Sequence, residues 1–185
     1  MKQLTLVAVT ACMAMASTAY AQTDQEMIDR ALLGAPAGMV RTNASVVKWG
    51  PDGKRVMIKQ GTNDLICWDQ SVWPGQLPFS VHCTSSKSMD RVDQNREFYY
   101  QYKTREAAEK AIKEAETAGK RVLPEYGAGH YGLQGKDQAS ARAHVTIAVP
   151  NATAASMKIP DKPSTSGIWL MDAGTTGAHL MIPGN

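Results

Sequence analysis

The chain opens on an apolar run. Leu4 to Ala16 is apolar apart from Thr5 and Thr10, Met1-Lys2-Gln3 precedes it as a basic start, and Ser17-Thr18-Ala19-Tyr20-Ala21 follows with small residues at Ala19 and Ala21. A charged start, a short apolar stretch and a small-x-small exit form the pattern of a secretory signal peptide. The run is too short to span a bilayer comfortably, so the pattern predicts a cleaved leader over 1–21, cut between Ala21 and Gln22. Val9-Thr10-Ala11-Cys12 offers a rival reading as a lipidated-cysteine box. Met13 to Ala16 stay apolar where such a box turns polar, so Cys12 is read as one more small residue of the leader. No later run approaches membrane-spanning length, and the mature chain, 22–185, is expected to be one soluble domain with no stable membrane insertion.

Past the leader the pattern alternates between helical and strand periods. Thr23 and Glu26 have capping-box spacing, Met27, Ile28, Ala31 and Leu32 share a helical face, and Gly34 and Pro36 end the run; this predicts a short helix over 24–33. Val46–Trp49 and Arg55–Lys59 flank Gly50-Pro51-Asp52-Gly53, a hairpin turn. A second turn at 61–64 leads to the strand of Cys67, a Pro- and Gly-bearing loop covers 70–78, and the strand of Cys83 follows. Read in order, these make a meander of four antiparallel strands. Phe98-Tyr99-Tyr100-Gln101-Tyr102 reads as a strand or helix edge packed on the core in preference to a ligand platform.

Thr104 to Ala118 is the clearest helix. Ala108, Ala111, Ile112, Ala115 and Ala118 form a narrow stripe, Glu106–Lys110 and Glu109–Lys113 have i,i+4 spacing, and Gly119 stands at its end. The alanine stripe suits close approach to a sheet, with no partner helix required. After Pro124, strands are expected at 145–149, 168–171 and 179–182, the last two joined by a hairpin loop over 172–177, with a surface loop at 158–166. Ala143-His144-Val145-Thr146-Ile147 echoes Ala178-His179-Leu180-Met181-Ile182, as two similar strands in one sheet would. Hairpin-type turns without regular β-helix-β alternation predict an α+β fold. Its sheet is mainly antiparallel, with the one long amphipathic helix on one face and the short N-terminal helix near an edge.

Composition narrows the function classes. The chain is 43% hydrophobic and 20% charged, with a net charge of +3. That charge is mild and scattered, and predicts no nucleic-acid partner. With Cys12 in the leader, Cys67 and Cys83 remain as an even pair in an exported chain. Each sits two residues after an apolar strand residue, Leu65 or Val81, so the two are expected to form a disulfide. HExxH, GxSxG, P-loop, GxGxxG and EF-hand signatures are missing, and no cofactor is expected. The suggestive set is Glu125, His130, His144, Asp172 and His179, all on or beside predicted strands. His130, His144 and His179 are the metal-ligand candidates, and a His–carboxylate pair suits acid–base work. Gly127-Ala128-Gly129-His130-Tyr131-Gly132 is assigned to bends and bulges before ligand approach.

Two functions follow from these residues. The favoured one is an exported domain, periplasmic or extracellular and bacterial by its leader. It binds a small molecule, an envelope component or a protein without catalysis, through exposed aromatics such as Trp49, Trp73, Tyr99 and Tyr102. The alternative is a small metal-dependent or His/carboxylate hydrolase that uses the C-terminal histidines.

Overall fold

A computed structural model describes residues 22–163 and 167–182. The expected leader, Cys12 and the Ala21 side of the cleavage position lie outside the described residues. The chain forms α1 (Asp24–Ala31), a single 3-10 turn (Leu32–Gly34), α2 (Met39–Thr42), β1 (Ser45–Trp49), β2 (Arg55–Lys59), β3 (Leu65–Asp69) and β4 (Phe79–Ser85). A second 3-10 turn (Ser86–Ser88) leads to α3 (Met89–Tyr102), α4 (Arg105–Thr117), β5 (Gly129–Gly135), β6 (Arg142–Ala148), α5 (Ala154–Met157), β7 (Trp169–Met171) and β8 (His179–Ile182). The fold is α+β, and the eight strands make one sheet in the order β2-β1-β3-β4-β5-β6-β8-β7. Every neighbouring pair is antiparallel except β1 with β3.

The parallel pair corrects the expected meander. β3 pairs with β1, leaving β2 at the edge. The cause is the crossing at Gly61. The Thr62 and Asn63 amides donate to the Asn43 carbonyl, and the Gly61 amide donates to Ser45 Oγ at 2.9 Å. A Cβ at Gly61 would lie 2.2 Å from the Asn43 carbonyl oxygen, so the chain can pass the start of β1 this closely only through glycine. That crossing delivers β3 to the far side of β1.

The helical layer also differs from expectation. α1 forms with its Thr23–Glu26 capping box, but it packs over the middle of the sheet, on β3 and β4, where an edge position was expected. Ala31, Ala35 and Ala44 bury there against Val46, Cys67 and Cys83. The opposite face is covered by α3, whose Met89 and Val92 pack on Val47, Trp68 and Trp73. There are thus two long helices, and the alanine stripe of α4 serves contact with α3, the partner helix held unnecessary above. Small side chains let two helices approach closely, which explains why that stripe carries so little bulk. The α4 ion pairs are Arg105–Glu109 and Lys110–Glu114, a register apart from those expected. Phe98–Tyr102 is helical, with rings 98 and 102 stacked one turn apart at 6.4 Å.

Cys67 and Cys83 face each other across β3 and β4 with their sulfurs at bonding distance, 2.08 Å. They sit on the α1 face, as the strand period predicts. β6 and β8, the two echoing segments, are neighbours, and β7 and β8 form the expected hairpin. Among the described residues no helix is long and apolar enough to cross a membrane.

Candidate functional site

The strand period builds the site. Phe79, Val81 and Cys83 of β4 point toward α1, which sends Ser80, His82 and Thr84 to the other side. The register carries the same face across the sheet. His82 pairs with Gly132 and Gly132 with His144; Thr84 pairs with His130 and His130 with Thr146; His179 pairs with Ala148. All four histidines of the chain therefore line one cavity of about 400 Å3, roofed by Val92, Asn95 and Tyr99 of α3 and Ile112 of α4.

His82 lies deepest. Its Nε2 is 3.0 Å from Ser80 Oγ and its Nδ1 is 3.0 Å from His130 Nε2, so one N–H serves each contact. Trp68 stacks on the His82 ring at 5.7 Å and 20°. Gly132 makes room for this pair: a Cβ there would sit 3.1 Å from His82 Nδ1. The glycine between two strand histidines is thus an accommodation of imidazole, a use beyond the bends expected of this segment. Burial pushes His82 well below the usual histidine range, with His130 and His144 adding repulsion. His130 is lowered to about 4, first by burial and then by His144 and His179. His144 is lowered by burial and by His179. At neutral pH these three rings are uncharged hydrogen-bonding groups. His179 Nδ1 lies 2.7 Å from the Gly177 carbonyl, which accepts its N–H.

The cavity's charge comes from arginine. Arg91 donates to the Val122 carbonyl at 2.6 Å and Thr176 Oγ1 at 2.9 Å. Arg121 donates to Gln94 Oε1 at 2.7 Å and to Asn95 Oδ1. Burial lowers both guanidiniums, Arg121 to about 10, and both stay charged at neutral pH. Their hydrogen-bond acceptors are neutral. Glu116 is drawn to the same corner, where it accepts from the Thr176 amide at 2.6 Å. Asp172 lies exposed at the rim, in a left-handed conformation at φ 54°. Trp68, Trp73 and Tyr99 supply an aromatic end.

No family model matches the chain, nor does any curated protein or solved structure.

The fold brings His130, His144, His179 and Asp172 to the same cavity. Glu125 stays outside it, accepting from Ser85 Oγ at 2.6 Å and Lys87 Nζ at 3.0 Å. Among the described residues no three His, Cys, Asp or Glu side chains gather closely enough to hold a metal ion. Sequence reasoning missed His82, Arg91 and Arg121. The signal for His82 was present in Phe79-Ser80-Val81-His82-Cys83-Thr84, a strict apolar–polar alternation whose polar face includes an imidazole. Of the aromatics expected to be exposed, Trp73 is buried, Trp49 and Tyr99 are half-buried, and only Tyr102 is exposed. Trp49 and Trp73 meet edge to face at 5.3 Å, so these rings fill the second core.

Proposed function

We propose that the mature chain is an exported, non-catalytic binding domain whose histidine-floored cavity takes up a small organic anion. The observation that carries this is the meeting of two charged guanidiniums, half-buried Arg91 and buried Arg121, with uncharged imidazoles in one half-open cavity of about 400 Å3. That volume falls in the range of small-molecule sites, about 300–1,000 Å3. Arg91 and Arg121 favour negative charge, His130 and His144 offer neutral hydrogen-bonding groups, and the Trp68–Trp73–Tyr99 end suits an apolar part.

Binding is favoured over hydrolysis by the same geometry. Ser80, the hydroxyl joined to the histidine chain, is fully buried and serves to orient His82. His130 titrates near 4, far from the neutral range that suits a general base at physiological pH. Export is supported by the leader pattern and by the Cys67–Cys83 bond, which suits an oxidising compartment.

The test is a titration of the mature protein with succinate, benzoate and phenyl phosphate, followed by the imidazole resonances of His130 and His144. At least one anion should shift both rings saturably and raise the melting temperature, and His144→Phe should weaken it at least tenfold. Rings that stay still with all three anions, or a response unchanged in His144→Phe, would overturn the assignment.

A further inference from the structure

We infer that the protein carries a second ligand site, beside the β1–β2 turn, in which Arg96 holds a carboxylate or phosphate and the rings of Trp49 and Tyr100 hold the flat body that bears it. The site is independent of the histidine cavity, with which it shares only Trp73.

The position of Arg96 in its helix is the first observation. Met89, Val92 and Arg96 are the buried residues of α3, so Arg96 occupies the inward stripe where the spacing calls for an apolar side chain. It is only 8% exposed. Its guanidinium carbon stands 3.9 Å from the centre of the Tyr100 ring and 5.8 Å from that of Trp49.

The second observation is what Arg96 lacks. Its Nε is buried with no hydrogen-bond partner, and among the described residues its guanidinium meets no carboxylate. The Nε atoms of Arg121 and Arg30 are buried without a hydrogen bond as well, but those guanidiniums have other acceptors or a carboxylate, which Arg96 lacks. Arg121 has Gln94 and Asn95, Arg30 has Asp69 at 2.6 Å, and Arg55 has Asp90 and Asp93 at 2.8 Å each. Asp93 lies one turn before Arg96 but is already engaged, by Arg55 and by Trp49 Nε1 at 2.7 Å. Ring faces satisfy the flat faces of a guanidinium, while its five N–H groups point outward in the plane and want acceptors. Arg96 therefore holds a charge and a donor fork in reserve.

The third observation is the space in front of it. An enclosed pocket of about 280 Å3 and an open groove of about 510 Å3 share Trp49, Gly50, Pro51, Arg96 and Tyr100. Gly53, at φ 80°, closes the groove beside the Arg96 fork; a Cβ there would stand 3.4 Å from Nη1. Asp52 is on the exposed rim, where its Oδ1 accepts the Lys54 amide at 3.1 Å. A carboxylate or phosphate accepts two parallel N–H bonds from such a fork, and an aromatic or similarly flat body lies against the two rings.

The four indole N–H resonances of the mature protein report the test, with Trp49 assigned through Trp49→Phe. Benzoate, phenyl phosphate and benzyl alcohol are the probes; the first two separate carboxylate from phosphate, and the third keeps the ring without the charge. The Trp49 signal should move saturably with benzoate or phenyl phosphate and at least tenfold more weakly with benzyl alcohol. Arg96→Met keeps the side-chain length and removes the fork, and should cost at least tenfold in affinity, whereas His144→Phe should leave the Trp49 titration unchanged. A Trp49 signal indifferent to both anions, one that answers benzyl alcohol equally well, or one as responsive in Arg96→Met would overturn the site. The contrast between the anions and the alcohol is read in the wild-type chain, so the outcome does not depend on how well the variant folds.

Discussion

Lowering the pH from 7 to 5 should weaken the fold through the histidines before any carboxylate contributes. His130 has its proton affinity reduced from the ordinary 6.5 to about 4 by burial and by its imidazole neighbours, and His82 is shifted in the same direction. The unfolded chain then takes up a proton that the folded chain refuses, so stability rises with pH across this window. The contribution is complete above pH 6.5 and is lost progressively as pH falls toward 4. For His130 the whole span amounts to about 3 kcal/mol, and the part between pH 7 and pH 5 to about 2 kcal/mol. In a chain of this size that corresponds to a melting-temperature drop of roughly 4–8 °C. Glu116 and Glu125 are lowered below the ordinary 4.5, so their stabilisation is intact at pH 5 and fails only below it. Urea unfolding followed by tryptophan fluorescence, at fixed ionic strength and at both pH values, measures the difference. His130→Gln, which keeps a hydrogen-bonding partner for His82 and cannot titrate, should shrink the loss by about 2 kcal/mol, leaving the share that burial of His82 contributes. An equal loss in wild type and His130→Gln would show that His130 is not held neutral by the fold, and would remove the electrostatic basis assigned to the cavity.

The other predictions concern the opposite face and the edge of the sheet. Replacing Cys67 and Cys83 together by alanine should lower stability by about 2–5 kcal/mol in chemical denaturation; because the pair faces α1, the cavity-ring response to anions should survive in the folded fraction. Thiol titration of the denatured, unreduced mature chain should find no free thiol at these positions. Gly61→Ala should cost about 3 kcal/mol by overpacking against the Asn43 carbonyl, measured by thermal unfolding, and a neutral outcome would mean that the crossing relaxes freely.

The legible parts of this fold were those with one dominant local signal. Thr23 and Glu26 marked the start of α1, and Thr104 caps α4 through the Ala107 amide at 3.3 Å. Cys67 and Cys83 could be paired from their even count behind an export leader together with strand period, since each follows an apolar residue by two. α3 was hidden because its inward stripe carries Arg96 among Met89, Val92 and Tyr100, and its C-terminal half is a run of tyrosines suited equally to a strand. The parallel pairing of β1 and β3 depends on Gly61 meeting a backbone from another part of the chain, which no local window contains. The cavity was half legible. His130, His144 and His179 stood out as polar residues in strands, but their convergence on His82, and the arrival of Arg91 and Arg121 from the helical side, are products of register and layering. Tertiary context decides such positions, and it left Glu125 at the surface with Lys87.

The cross-strand bond between Cys67 and Cys83 is local enough to allow an order of assembly in time. A chain delivered through a membrane N-terminus first presents both cysteines while β5, β6 and β8 are still behind it. The bond spans a separation of only 16 residues and joins strands that are already neighbours, so it can close on the early β3–β4 unit alone. The cavity floor needs His179, near the other end of the described chain, and is complete only when the last hairpin docks. In a chain exported as proposed, covalent closure of β3 and β4 can therefore come before the cavity floor is complete.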